Sequence, residues 1–126
     1  MRANHNPVGW FEIYVDDMPR AKAFYEGVFE VKLERLPSQL IEMQAFPMDP
    51  KLPGTTGSLV KMPGKDRPAG GGTIVYFNCE DCAVEAARVP RQGGRVFKEK
   101  FPIGQFGFVA LVFDTENNLF GLHSMR

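Results

Sequence analysis

Asp17 and Asp81 stand 64 residues apart (81 − 17) in a chain of 126. Each follows an alternating apolar run and opens a helical pattern. The same offset sets Val15 against Cys79, Ala23 against Ala87, Leu33 against Phe97 and Gly57 against Gly121. A chain this short with a repeat this long reads as two copies of one supersecondary unit. Fused half-domains meet at a seam, and seams are where small ligands fit.

The first copy begins with Gly9 to Val15, G-W-F-E-I-Y-V. Phe11, Ile13 and Val15 fall on one side, and Trp10, Glu12 and Tyr14 on the other. That is the period of a strand. Asp16 or Asp17 can cap the helix that follows, and Pro19 falls in its first turn, where a missing N–H does no harm. Ala21, Phe24, Tyr25 and Val28 keep helical spacing, with Gly27 near the end. Val31 to Leu36, Leu40 to Phe46 and Thr56 to Met62 read as strands. The prolines at 47, 50 and 53 mark an irregular connection. Pro63 to Gly72 reads as the linker between copies. In the second copy, Thr73 to Cys79 is a strand, with Val75, Phe77 and Cys79 on one face and Ile74, Tyr76 and Asn78 on the other. Cys82 to Arg91 is a helix stopped by Gly93-Gly94. Pro90 must sit in its last turn or shorten it, since a mid-helix proline costs about 3 kcal/mol. Arg95 to Phe101, Phe106 to Phe113 and Leu119 to Ser124 complete the strands. The order is βαβββ twice.

The fold class that follows is α+β. Two tandem βαβββ units, about 7–63 and about 71–126, form one domain. Their eight strands make a partly open mixed sheet or barrel, with one helix per unit outside. The helices cover only one face. The other face carries Trp10, Glu12, Tyr14, Tyr76 and Asn78, the mix of aromatic bulk and few polar groups that lines small-ligand cavities.

Composition removes several classes of function. Basic and acidic residues balance at 15 each, which argues against a nucleic-acid partner. No run approaches the roughly 18 apolar residues of a membrane span. Met1 to Pro7 is polar and lacks the apolar core of a signal peptide. Two cysteines three positions apart form no disulfide framework. A soluble, cytoplasmic protein is expected.

G-W-F-E-I-Y-V-D-D-M-P-R-A-K-A-F-Y-E-G-V-F resembles the opening of vicinal oxygen chelate proteins. So do V-Y-F-N-C-E-D-C-A-V-E-A-A, G-G-R-V and F-D-T-E-N-N-L-F-G-L. That superfamily includes glyoxalase I, bleomycin- and fosfomycin-resistance proteins, extradiol dioxygenases and an acyl-CoA epimerase. The resemblance implies paired βαβββ units and a homodimer. In metal-dependent members it implies one divalent ion held by inward-facing His and Glu residues. The implied ligand positions here are Trp10, Ile74, Gly57 or Ser58, and Gly121. Only Ser58 among them offers an oxygen, and a weak one. Divalent ions want imidazole or carboxylate in three or four places. The scaffold is expected without its usual metal, a divalent ion at a displaced site being the alternative.

Two residues stand out as candidate acid–base groups. Glu12 faces the expected cavity, where burial raises a carboxyl pKa unless a partner holds the charge. It reads as a general base, as an anchor for a cationic or hydroxylated ligand, or as a strand-end carboxylate paired with Lys or Arg. His123 lies two residues after Gly121 in the same register. It reads as an acid–base group or, with Glu12, as half of a displaced metal site. The ligand-binding set is Trp10, Glu12, Tyr14, Tyr76, Asn78, Gly121 and His123. Trp10 matters most, because its indole fills the space of a metal and its water. Cys79 and Cys82 occupy positions that are apolar in the other copy, which favours packing over redox chemistry. The glycine-flanked turn Gly104 to Gly107 reads as a lid.

Two functions follow. One is metal-free binding of a small apolar or aromatic molecule between the units, resistance by sequestration being one version. The alternative is a glyoxalase-like lyase, isomerase or dioxygenase, metal-dependent or metal-free. A partner-binding module ranks last, for want of an apolar surface stripe.

Overall fold

Both aspartates at the 64-residue offset cap helices, and they set where each unit turns from strand to helix. Asp17 has extended backbone, and its carboxylate accepts the N–H of Arg20 at 3.0 Å. Asp81 is extended too and accepts the N–H of Ala83 at 3.0 Å. The computed structural model describes residues 5–38, 41–63 and 72–126. Its elements are β1 (Val8–Tyr14), α1 (Met18–Phe29), β2 (Glu34–Arg35), β3 (Glu42–Ala45), β4 (Gly57–Lys61), β5 (Thr73–Asn78), α2 (Cys82–Arg88), β6 (Arg95–Pro102), β7 (Phe108–Phe113) and β8 (Leu119–Ser124). The order βαβββ occurs twice, as the α+β reading expects. Leu40 and the linker residues 64–71 lie outside the described residues.

The chain divides into two compact units. One is Trp10–Thr73; the other is Ile74–Arg126 with the segment that ends at Gly9. The division between these compact units falls inside β1, between Gly9 and Trp10. The carbonyl of Pro7 accepts the N–H of Asn78 at 2.9 Å. Gly9 has no β-carbon to collide with the Asn78 side chain. Both ties hold the start of β1 to the second unit.

In the first unit the strands run in the order β2-β3-β4-β1. β1 and β4 are parallel and the other pairs antiparallel. α1 packs on one face, where Met18, Leu33 and Leu59 form a buried core with Ile13, Val15, Tyr25 and Phe46 around it. Met18 is 2% exposed, and burying a side chain of that size contributes about 1.5–3 kcal/mol. Gln44 intrudes on this face. It is the register partner of Leu59, and its side-chain carbonyl oxygen is buried with no hydrogen-bond partner among the described residues.

In the second unit the order is β5-β8-β7-β6, with β5 and β8 parallel. α2 covers one face through Cys82 and Ala86, which pack on Ala110, Val112 and Leu122. The helix is shorter than the sequence predicts. It ends at Arg88, and Pro90–Gln92 continue as a single 3₁₀ turn closed by Gly93 at φ 96. Proline has no N–H for the α-helical ladder and clashes with the carbonyl one turn back, which explains the change. The strand expected from Phe106 starts at Phe108, because Gly104–Phe106 form another 3₁₀ turn.

The register corrects one sequence equivalence. Gly57 pairs with Phe11, whereas Gly121 pairs with Tyr76. Tyr76 is the 64-residue counterpart of Glu12, so the fourth strand of the second copy is slipped by one. Ser58, not Gly57, is the counterpart of Gly121. A one-residue slip moves a side chain to the other face. Gly57 lies beside the Phe11 ring on the helix-covered face, and Gly121 lies beneath the Tyr76 ring on the opposite face.

Two outcomes follow from this packing. Gln44→Met removes a buried, unpartnered carbonyl at nearly constant volume, and urea denaturation is expected to show a gain of about 1 kcal/mol; a loss would mean that the oxygen has a partner. Asp81 is held below the usual carboxylate range, first by the Lys100 ammonium at 2.9 Å and then by the Ala83 N–H. A lowered folded-state pKa gives stability that is complete above the unfolded carboxyl's range and lost as pH falls through the folded value. Asp81→Ala is therefore expected to lower the melting temperature clearly near pH 7 and much less near pH 2. An equal drop at both would contradict a charge-dependent cap.

Candidate functional site

Strand alternation puts Trp10, Glu12 and Tyr14 on the face of β1 opposite α1. The β1–β4 register adds Ser58 beside Glu12 and Val60 beside Tyr14. Glu12 and Tyr14 are each 8% exposed, and Ser58 is fully buried. The Tyr14 hydroxyl donates to Glu12 Oε1 at 2.7 Å. A buried carboxylate needs such donors, since charge in a low-dielectric setting is costly without them. Ser58 Oγ, by contrast, has no hydrogen-bond partner among the described residues. This face thus combines an indole, a phenol-bonded carboxylate and an unpartnered hydroxyl.

The other candidate residues share a face in the second unit. Tyr76 pairs with Gly121 and Asn78 with His123, all opposite α2. The Tyr76 ring occupies the place where a β-carbon at 121 would stand. His123 is not poised as an isolated acid–base group. Its Nε2 lies 2.6 Å from the carbonyl oxygen of Phe106, and a carbonyl only accepts, so Nε2 carries the proton. That bond pins the 3₁₀ turn Gly104–Phe106 to β8. The turn is fastened further where the Ile103 N–H donates to Gly107 O at 2.8 Å. The segment expected as a lid is therefore a tied turn. On the same face of β6, Lys98 lies over the Phe101 ring and Arg95 over the Phe113 ring, each 4.0 Å from the centroid.

The positions where a divalent ion's ligands were expected do not fit one. Trp10 offers only an indole N–H donor. Ile74 is an aliphatic side chain 2% exposed. Gly121 has no side chain and lies under the Tyr76 ring. Ser58 brings a single neutral hydroxyl. Among the described residues no three His, Cys, Asp or Glu side chains gather in one place. The aromatic ring over the Gly121 position is that of Tyr76, whereas the sequence pointed to Trp10 as the residue filling the ion's space.

Cys79 and Cys82 are free thiols. Cys82 is buried under α2 with Cys79 packed against the same core. Burial, then the nearby Glu85, pushes the Cys79 thiol up to about 12. A thiol protonated at neutral pH is a packing group rather than a nucleophile. Ser58 is the residue whose role the sequence reading understated. Its signal was present in the alternation of G-S-L-V: once Leu59 is assigned to the helix, Ser58 must face away from it.

Known proteins place this geometry. The sequence model of the Glyoxalase/Bleomycin resistance protein/Dioxygenase superfamily matches residues 8–122. Solved structures of similar fold include a variant of Streptomyces coelicolor methylmalonyl-CoA epimerase in complex with 2-nitronate-propionyl-CoA. It has TM-score 0.71 and 14% identity, over 94% of this chain and 96% of that one. Methylmalonyl-CoA epimerase from Mycobacterium tuberculosis gives TM-score 0.71 and 16% identity, over 100% and 93%. A mutant 4-hydroxymandelate synthase from Streptomyces coelicolor gives 0.66 and 16%, over 96% of this chain but 39% of that larger one. At these identities the likeness is one of fold. No curated protein matches by sequence. The family match spans nearly the whole chain, and the paired βαβββ units agree with it: the chain belongs to the glyoxalase/bleomycin resistance protein/dioxygenase superfamily.

Proposed function

We propose that this chain binds a small apolar or aromatic molecule on the face of its first sheet opposite α1, without a metal ion at the superfamily's usual positions. Glu12 and Tyr14 form the polar anchor, and Trp10 supplies the ring surface. Tyr76, Asn78, Gly121 and His123 form the corresponding face of the second unit. The observation that carries the reading is the Glu12 carboxylate, buried on the face away from α1 and bonded by Tyr14 at 2.7 Å. A carboxylate on that face can accept from a ligand hydroxyl or amine. The similar fold that carries 2-nitronate-propionyl-CoA supports the use of this scaffold for small molecules.

A second reading follows from the same carboxylate. A buried Glu with an ordered hydrogen bond also suits a general base, which would make the chain a metal-free lyase or isomerase. Activity of the purified protein on candidate substrates that survives Glu12→Gln unchanged would remove this reading.

The proposal extends to a cytoplasmic homodimer. Phe24, Val28 and Phe29 stand at 61%, 56% and 60% exposure on α1. An apolar patch of that kind favours association, and the two unpaired thiols agree with a reducing compartment. Sedimentation equilibrium is expected to give twice the chain mass, with Phe24→Glu shifting it to the monomer. A wild-type monomer at high micromolar concentration would contradict the dimer.

Trp10 is the only tryptophan, so its fluorescence reports on this face directly. Small aromatic ligands that raise the melting temperature are expected to quench or shift it, and Tyr14→Phe is expected to weaken them about tenfold. Ligands that stabilise the protein while leaving the emission unchanged would place the site elsewhere. Metal analysis of the purified chain is the companion measurement. One tightly held zinc, nickel, iron or manganese ion per chain would overturn the metal-free reading.

A further inference from the structure

We infer that the group taken up on this face is a neutral hydroxyl, phenolic in kind, held between the Glu12 carboxylate and the Ser58 hydroxyl. The inference rests on the binding role proposed above and adds the chemistry of the ligand. Its ground is the β1–β4 ladder. Glu12 and Ser58 are register partners on neighbouring parallel strands. Their side chains leave the same face roughly 5 Å apart. Ser58 is fully buried, and its Oγ has no hydrogen-bond partner among the described residues. Buried hydroxyls are nearly always bonded, so an orphaned one calls for an explanation.

The two groups differ in what they ask of a ligand. An ionised carboxylate only accepts, whereas a serine hydroxyl both donates and accepts. A ligand hydroxyl satisfies both with one oxygen: its proton goes to Glu12 and its lone pair receives the Ser58 proton. An ether has no proton for Glu12. A carboxylate is repelled by Glu12. An ammonium gives a proton to each but leaves the Ser58 O–H without an acceptor. The adjoining surface selects among hydroxyls. Trp10 and Tyr14 share this face of β1, and aromatic side chains beside the anchor favour a ring next to the bound oxygen.

The test is calorimetric titration with four probes of one size: para-cresol, para-methylanisole, para-toluate and para-methylbenzylamine. Wild-type protein is expected to bind para-cresol about tenfold more tightly than the methyl ether. Ser58→Ala is expected to weaken para-cresol several-fold, through loss of the proton given to the ligand oxygen. The variant should also remain as stable as wild type, since it breaks no bond. Equal affinity of the ether, acid or amine with para-cresol would overturn the hydroxyl inference while leaving a binding site in place. An unchanged para-cresol affinity in Ser58→Ala would do the same. Failure of all four probes to bind would overturn the binding role itself, and this inference with it.

Discussion

The parallel register of β1 on β4 is the constraint on which the first unit depends. Phe11 meets Gly57, Glu12 meets Ser58 and Ile13 meets Leu59. With that pairing, Ile13 and Leu59 go under α1 and build its core, and Gly57 leaves room for the Phe11 ring. The same pairing sends Glu12, Tyr14 and Ser58 to the other face. A shift of one residue would put a carboxylate under the helix and two aliphatic side chains opposite it. The hydrophobic core therefore fixes the register, and the polar group arises as its other side.

The second unit repeats the plan with one change of consequence. Its parallel pair sets Tyr76 on Gly121, so an aromatic ring covers a position at which the family resemblance implies a metal ligand. Ile74 adds aliphatic bulk to the same face, and His123 is bonded to the Phe106 carbonyl. The fold is that of the superfamily, while the positions at which the resemblance implies metal ligands hold an indole, an aliphatic chain, a glycine and a hydroxyl. Function on such a scaffold is decided by those positions rather than by the fold.

Much of this was legible in the sequence because the strongest signals are local. Asp17 and Asp81 cap helices by a rule that operates within three residues. The period-two runs at Trp10 and Ile74 place the right residues on each face. What escaped the sequence depended on pairing between distant strands. The match of Gly57 with Gly121 suggested equivalence, yet the ladder slips by one and they face opposite ways. Val31 to Leu36 reads as a strand but yields only Glu34–Arg35. Pro90 broke α2 as proline chemistry requires, but where the chain went next, into a 3₁₀ turn, needed the structure. The bond from His123 to Phe106 spans 17 residues and has no sequence pattern. Ser58 was legible as a position and not as an orphaned donor, since burial and lack of a partner are properties of the packed chain.

The central claim is that the face shared by Glu12, Tyr14 and Ser58 takes an organic ligand and not an ion. Amide NMR mapping tests it most directly, by comparing added para-cresol with added Mn²⁺. The account predicts that para-cresol shifts the amides of Glu12 and Ser58 selectively, while Mn²⁺ broadens exposed carboxylate sites and leaves β4 and β8 sharp. Selective Mn²⁺ broadening centred on Ser58 and Gly121, with para-cresol shifts absent from β1, would contradict it.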